Sequence, residues 1–459
     1  MRALSPGVGG PRGAHGGGSW WTPVRVVLVL MTVSFALGLV QKAPCAAQEW
    51  QDGTARYTQM CYSDIPYLYA GRGFAEGLAP YLDNGDRYEY LEYPVLTGVF
   101  AFWAAELTHA AFEEPSTAGL TVQEVQSDPV VRDNLVPFTV VNALLLFGCA
   151  LVAAWALAGA HRGRPWDAAL FAAAPVLPLT ALINWDLLVV ALLATALLAW
   201  SRSRPLLAGV LIGLGTAAKL FPLFVLGPIL VLCLRARRMR AFWLALLGAA
   251  ASWLVTNLPF AVVNFEGWAM FWSFNSERGA DLGSLWYAWT LADHEVSAHT
   301  INVASWVFFS GACVGVAVLA LAAPRRPRLA QLAFLVVAAF LLVNKVYSPQ
   351  YVLWLLPLAA LARPRWRDLL IWQAGEVLYF GAIWLHLSGD LAPAAGGATP
   401  TPYILAIVVR VLAQLWLVAM VLRDIWQPWH DPVRSDGVTD DPGGGVLDEP
   451  SLTAPVRTS

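Results

Sequence analysis

Charged residues are scarce in this chain. Asp, Glu, Lys and Arg make up 13% of its 459 residues, against roughly 25% in a soluble domain, and the deficit excludes a water-soluble globular protein. Neither sign dominates: a formal net charge of −2 leaves no concentrated basic surface of the kind nucleic acid requires. The 7 histidines and the acidic residues show no His-Glu-x-x-His or paired-Cys spacing, so no metal site is expected. A Gly-rich loop ending in Lys-Ser/Thr and a dinucleotide fingerprint are both missing, and no cofactor is expected. No internal repeat has a clear period.

What is abundant is apolar: 58% of residues, arranged in serial runs of about membrane length. Spans are expected at 24–41, 135–159, 166–183, 186–200, 205–218, 221–235, 241–262, 302–323, 328–344, 348–362, 368–387 and 402–422. The fold class is therefore an all-α integral membrane protein, a polytopic helical bundle of about 12 transmembrane helices forming one domain over 24–422. Arg162 with Arg164, Arg202 with Arg204, Arg235 to Arg240, Arg325 to Arg328, and Arg363 to Arg367 fall in alternate connectors, which places those connectors and both termini in the cytoplasm. The segment from Pro94 to about Phe112 breaks that alternation unless it lies in the outer interface. It belongs to a first outer loop over 42–134 with interfacial helices. Arg25, an apolar stretch and then Pro44-Cys45-Ala46-Ala47 also resemble a secretory signal, but the length of the run favours an uncleaved anchor. The tails at 1–23 and 423–459 are too polar and Gly/Pro-rich to pack.

Of the 5 cysteines, Cys149, Cys233 and Cys313 lie in apolar runs as packing residues. Cys45 and Cys61 lie in the outer loop, and a disulfide between them is expected there, just ahead of Asp64. Ionisable and polar groups then recur at the outer turns: Asp64, Asn184 and Asp186, Lys219, Arg278 with Asp281, and Lys345 with Gln350. Repeated placement at one face beside apolar helix ends suggests a shared cavity. Asp64 also suits a helix N-cap, since Ile65-Pro66 follows it. Glu376 and Arg410 lie inside spans at a cost of ~2.5–3.5 kcal/mol each unless paired, and pairing across adjacent helices is expected.

Cys61-Tyr62-Ser63-Asp64-Ile65 with Arg72-Gly73, Glu92-Tyr93-Pro94, Asn184-Trp185-Asp186, Ala218-Lys219-Leu220-Phe221-Pro222, Arg278-Gly279-Ala280-Asp281 and Lys345-Val346-Tyr347-Ser348-Pro349-Gln350 together resemble actinobacterial members of glycosyltransferase family 87. That family has the GT-C fold and includes polyprenol-phosphate-mannose-dependent mannosyltransferases. The resemblance runs from about residue 40 to residue 420. It implies inverting transfer of a sugar, mannose foremost, from a polyprenyl-phosphate donor to a lipid or glycan acceptor at the outer face of the plasma membrane. Asp64 matches the position of the general base. Arg278, Lys219 and Lys345, in that order, are candidates for the donor phosphate. Asp186, Asn184, Asp281, Gln350 and His386 are candidates for substrate binding. The expected partners are donor, acceptor and membrane lipids. A polytopic transporter or lipid flippase is the alternative, with Glu376 and Arg410 as a coupling pair.

Overall fold

The computed structural model describes residues 21–51, 53–84, 86–117, 119–391 and 400–448. Among them every regular element is helical. The principal helices are α1 (Pro23–Ala46), α2 (Asp64–Gly71), α3 (Val95–Ala111), α4 (Leu135–Ala160), α5 (Asp186–Ser201), α6 (Pro205–Ala218), α7 (Leu226–Arg235) and α8 (Met239–Val263). They continue with α9 (Phe265–Glu277), α10 (Leu285–Leu291), α11 (Ala298–Ala322), α12 (Leu329–Val343), α13 (Val352–Ala362), α14 (Trp366–Leu387) and α15 (Thr401–Trp426).

Among the described residues, five helical segments are long and apolar enough to cross a membrane: Pro23–Ala46, Pro129–Ala160, Met239–Val263, Ala298–Ala322 and Thr401–Trp426. The others in the bundle are shorter, and their lengths follow from local chemistry. The expected span 166–183 is not one helix but three single turns, Pro165–Ala168, Ala169–Ala172 and Leu177–Thr180, because Pro175 and Pro178 interrupt the backbone hydrogen-bond ladder. α5 and α13 are buried on all sides, which explains sequences apolar around the whole helix. α8 and α11 instead expose Leu247, Val255, Val307 and Val314, as lipid-facing helices do. α6 closes on α8 through Gly209 and Gly213, where a methyl group would run into the backbone carbonyls of Ala245 and Ala249. Small residues allow that approach.

The basic connectors gather at one end of the bundle. Arg162 Nη2 donates to Ser201 O (2.7 Å), Arg235 Nη2 to Ala323 O (2.7 Å) and Arg328 Nη1 to Leu361 O (2.7 Å). Arg363 there is fully buried between Asp368 (2.7 Å) and Asp424. The expected disordered tail from 423 does not describe this end: α15 runs to Trp426, and residues up to 448 pack over the basic connectors. Asp431 pairs with buried Arg328 at 2.8 Å, Asp440 with Arg326 at 2.9 Å, and Leu329 N donates to Asp441 Oδ2 at 3.0 Å. Composition missed this because the tail has few apolar residues; Val433 and Leu447 are nevertheless buried, and its aspartates meet arginines of the bundle. The first 20 residues of the expected N-terminal tail lie outside the described residues.

The opposite end carries the loop over 42–134. Both ends of α3 reach it: Thr97 Oγ1 donates to Ala218 O at the end of α6 (2.7 Å), and Asn134 Nδ2, at the start of α4, donates to Glu113 O just beyond α3 (2.7 Å). A helix with both ends at one end of the bundle lies across it. The Cys45–Cys61 disulfide is formed, with Cα atoms 5.8 Å apart, and it ties the end of α1 to the segment entering α2.

Candidate active site

Ser63, not Asp64, caps α2: its Oγ accepts from Ile65 N at 3.3 Å. Asp64 is the first residue of the helix and its carboxylate is free to turn away from the helix end. Tyr62 Oη donates to Asp64 Oδ1 (2.7 Å) and Tyr93 Oη to Oδ2 (2.9 Å), so each oxygen is held and each keeps a lone pair. Burial pushes the Asp64 carboxyl above the usual carboxylate range, while the two phenols and the Lys219 charge pull against it. Both phenols are themselves raised, Tyr62 chiefly by the Asp64 charge and Tyr93 chiefly by burial, and they stay protonated donors.

Asp64 lines a cavity of about 640 Å³ at the end of the bundle opposite the basic connectors, a size suited to a small organic ligand. Of the residues expected at the site, Asp64, Asn184, Lys219, Arg278, Lys345 and Gln350 line it. Asp186, Asp281 and His386 do not. Asp186 is fully buried behind the wall, with Lys219 Nζ 3.1 Å from its Oδ1. Burial works against the Lys219 charge, but Asp186, Tyr351 and Asp64 together outweigh it and hold the ammonium above its ordinary value; the ring of Tyr93 lies 4.9 Å from the same Nζ. Lys219 is thus a neutralised charge. Asp281 takes the Nε of Arg278 at 2.6 Å and also its Nη2, so it orients the guanidinium and has little left for a substrate. His386 stacks on Tyr403 (ring centroids 4.1 Å), a packing position.

Lys345 is the exception among the cations. Its Nζ donates to Asn302 Oδ1 at 2.6 Å, and among the described residues no carboxylate pairs with it. Burial lowers its ammonium, and the nearby Arg278 lowers it further: the pair form a positive wall short of negative charge. Backbone bonds fix this wall, from Asp281 N to Lys345 O (2.8 Å) and from Tyr347 N to Leu282 O (3.1 Å). Beneath it, Arg410 pairs with Glu376 at 2.8 Å, donates to the carbonyls of Tyr347 and Ser348, and lies over the rings of Tyr347 and Tyr379. The intramembrane pair expected from sequence is present, and it supports the turn that carries Lys345 and Gln350.

The sequence reading missed Tyr62, Tyr93 and Asn302 as site residues. The two tyrosines stand inside the motifs already noted, but only folding brings phenols 31 positions apart onto one carboxylate. Trp185, which could have stacked on a ligand, instead donates its indole N–H to buried Asn142 (2.7 Å). A third sector of the cavity is apolar, with Phe271, Trp272, Trp306 and Phe309 from α9 and α11.

Residues 132–344 match the family model of glycosyltransferase family 87. The matched stretch includes Asn184, Asp186, Lys219, Arg278 and Asp281, and stops short of Lys345; Asp64 lies before it. No curated protein matches the chain. From α4 to the turn after α12, the chain is similar to glycosyltransferase family 87, and that match indicates a membrane-embedded glycosyltransferase.

Proposed function

We propose that the chain is an inverting glycosyltransferase that moves a sugar, with mannose the first to test, from a polyprenyl-phosphate donor to a lipid or glycan hydroxyl at the extracytoplasmic face. The observation that carries this reading is a carboxylate held by two phenols in the same cavity as Lys345, a cation that no carboxylate pairs with among the described residues. Asp64 takes the proton of the acceptor hydroxyl as its oxygen bonds to the anomeric carbon. The bond from that carbon to the phosphate oxygen breaks, and Lys345 with Arg278 receives the charge left on the phosphate. The sector of Phe271, Trp272, Trp306 and Phe309 suits the donor's polyprenyl chain. By the positive-inside rule the basic end faces the cytoplasm, which puts the cavity outside, where lipid-borne donors replace nucleotide sugars.

The test supplies membranes containing the full chain with labelled polyprenyl-phosphate mannose, arabinofuranose and other pentoses, one at a time. A labelled glycolipid or glycan from one donor supports the reading. Product from none of them, or movement of label across the bilayer without a new glycosidic bond, sinks it.

The geometry also ranks the cations. Because Arg278 spends two nitrogens on Asp281 and Lys219 is balanced by Asp186, Lys345→Met should cost more than Arg278→Lys. A lost charged hydrogen bond of about 1.5–3 kcal/mol corresponds to roughly 10- to 150-fold in kcat/KM for the donor. Donor titrations of the two variants check this, and the reverse order would put the phosphate on Arg278.

A further inference from the structure

Lys42 lies in α1, one turn from its end, and is only 4% exposed. A lysine there would ordinarily extend its ammonium to the headgroups. Instead its Nζ donates to the backbone carbonyl of Tyr62 at 2.6 Å, and among the described residues it has no carboxylate partner. An ammonium withdrawn from water without a counter-ion is unfavourable, so a function has to account for it. Burial weighs most heavily against the charge, and the Asp64 carboxylate is what works in its favour. Its neighbours on α1 hold the same segment: Gln41 Nε2 donates to Met60 O, and Cys45 is bonded to Cys61. Three residues of one helix thus pin three consecutive residues, the last of which, Tyr62, holds Asp64 Oδ1.

We propose that Lys42 is a positioning residue for the transfer reaction: through the Tyr62 carbonyl it fixes the phenol that grips Asp64, and its positive charge favours the ionised form of that carboxylate. The proposal rests on the reading of Asp64 as the base. Asp64 is then held by Tyr62, whose carbonyl Lys42 grips, on one side, by Tyr93 with the neighbouring Glu92 on another, and by Lys219 backed by Asp186 on the third. Lys42 is the cation among these that no carboxylate pairs with.

The experiment measures the pH dependence of transfer by the full chain in membranes, using the polyprenyl-phosphate sugar that wild type accepts. Lys42→Gln keeps a donor for the Tyr62 carbonyl but removes the charge. It should move the acid limb of the profile up by about one unit and so lower kcat by up to about tenfold on that limb, with donor KM unchanged and the rate recovering at higher pH. Lys42→Arg should return the limb toward wild type. Lys42→Met should melt at or above the wild-type temperature, because an unpaired buried cation is gone. A wild-type profile for Lys42→Gln, or a loss equal at every pH and not relieved by Lys42→Arg, overturns the proposal. Those outcomes leave the base reading untouched; only near-normal turnover by Asp64→Asn removes it.

Discussion

Asp64→Asn should lower transfer by about 10²- to 10⁴-fold, the usual contribution of a positioned general base, while the protein still accumulates and binds donor. The amide keeps the shape of the carboxylate and its place between Tyr62 and Tyr93, so the change removes proton affinity and little else. The pH dependence carries the same signature. Burial holds the Asp64 carboxyl above the ordinary range, and the reaction needs it ionised. Activity should therefore fall as pH drops through that raised value, at a higher pH than for an exposed aspartate. Tyr93→Phe removes one donor to the anion and should move that fall higher still, with the rate at alkaline pH largely kept. Turnover of Asp64→Asn close to wild type would remove the aspartate from the chemistry, and only the cavity and its cations would remain to be explained.

The second large effect is on stability. Arg410→Met should destabilise the protein by about 3–5 kcal/mol, because it strands the buried carboxylate of Glu376. The guanidinium also holds the Tyr347 and Ser348 carbonyls, so its loss frees the turn bearing Lys345, and donor KM should rise even where the fold survives. Glu376→Met with Arg410→Met should recover most of the stability, since a well-packed apolar pair replaces a buried ionic one at little cost. It should not recover the donor KM. Thermal unfolding of the single and double variants in detergent reads the first effect, and donor titration reads the second. A single variant as stable as wild type would mean that the pair is not what anchors α14 to α15.

Much of this was legible without coordinates. Low charge and serial apolar runs require a helical membrane protein, because lipid leaves every backbone polar group to be satisfied internally. The clustering of Arg in alternate connectors foretold that they would meet at one end, and the isolation of Glu376 and Arg410 in apolar runs foretold that they would pair. The Cys45–Cys61 bridge followed from two cysteines in one outer loop.

Other features depend on distance in space, which residue order does not encode. The carboxylate of Asp64 met the phenols of Tyr62 and Tyr93, whereas Ser63 took the capping role that Asp64 also suited. Lys219, Arg278 and Lys345 look equivalent as outer cations; folding neutralised the first with Asp186, half-occupied the second with Asp281 and left the third with only an amide. The tail beyond Trp426 has no apolar pattern, yet it packs, and its aspartates find arginines more than a hundred positions earlier. Sequence determined which groups must leave water and toward which end of the bundle the charges would gather, because the transfer energetics of each side chain are local properties. The tertiary structure alone decided which charge neutralises which, because electrostatic pairing acts over a few ångströms whatever the separation along the chain.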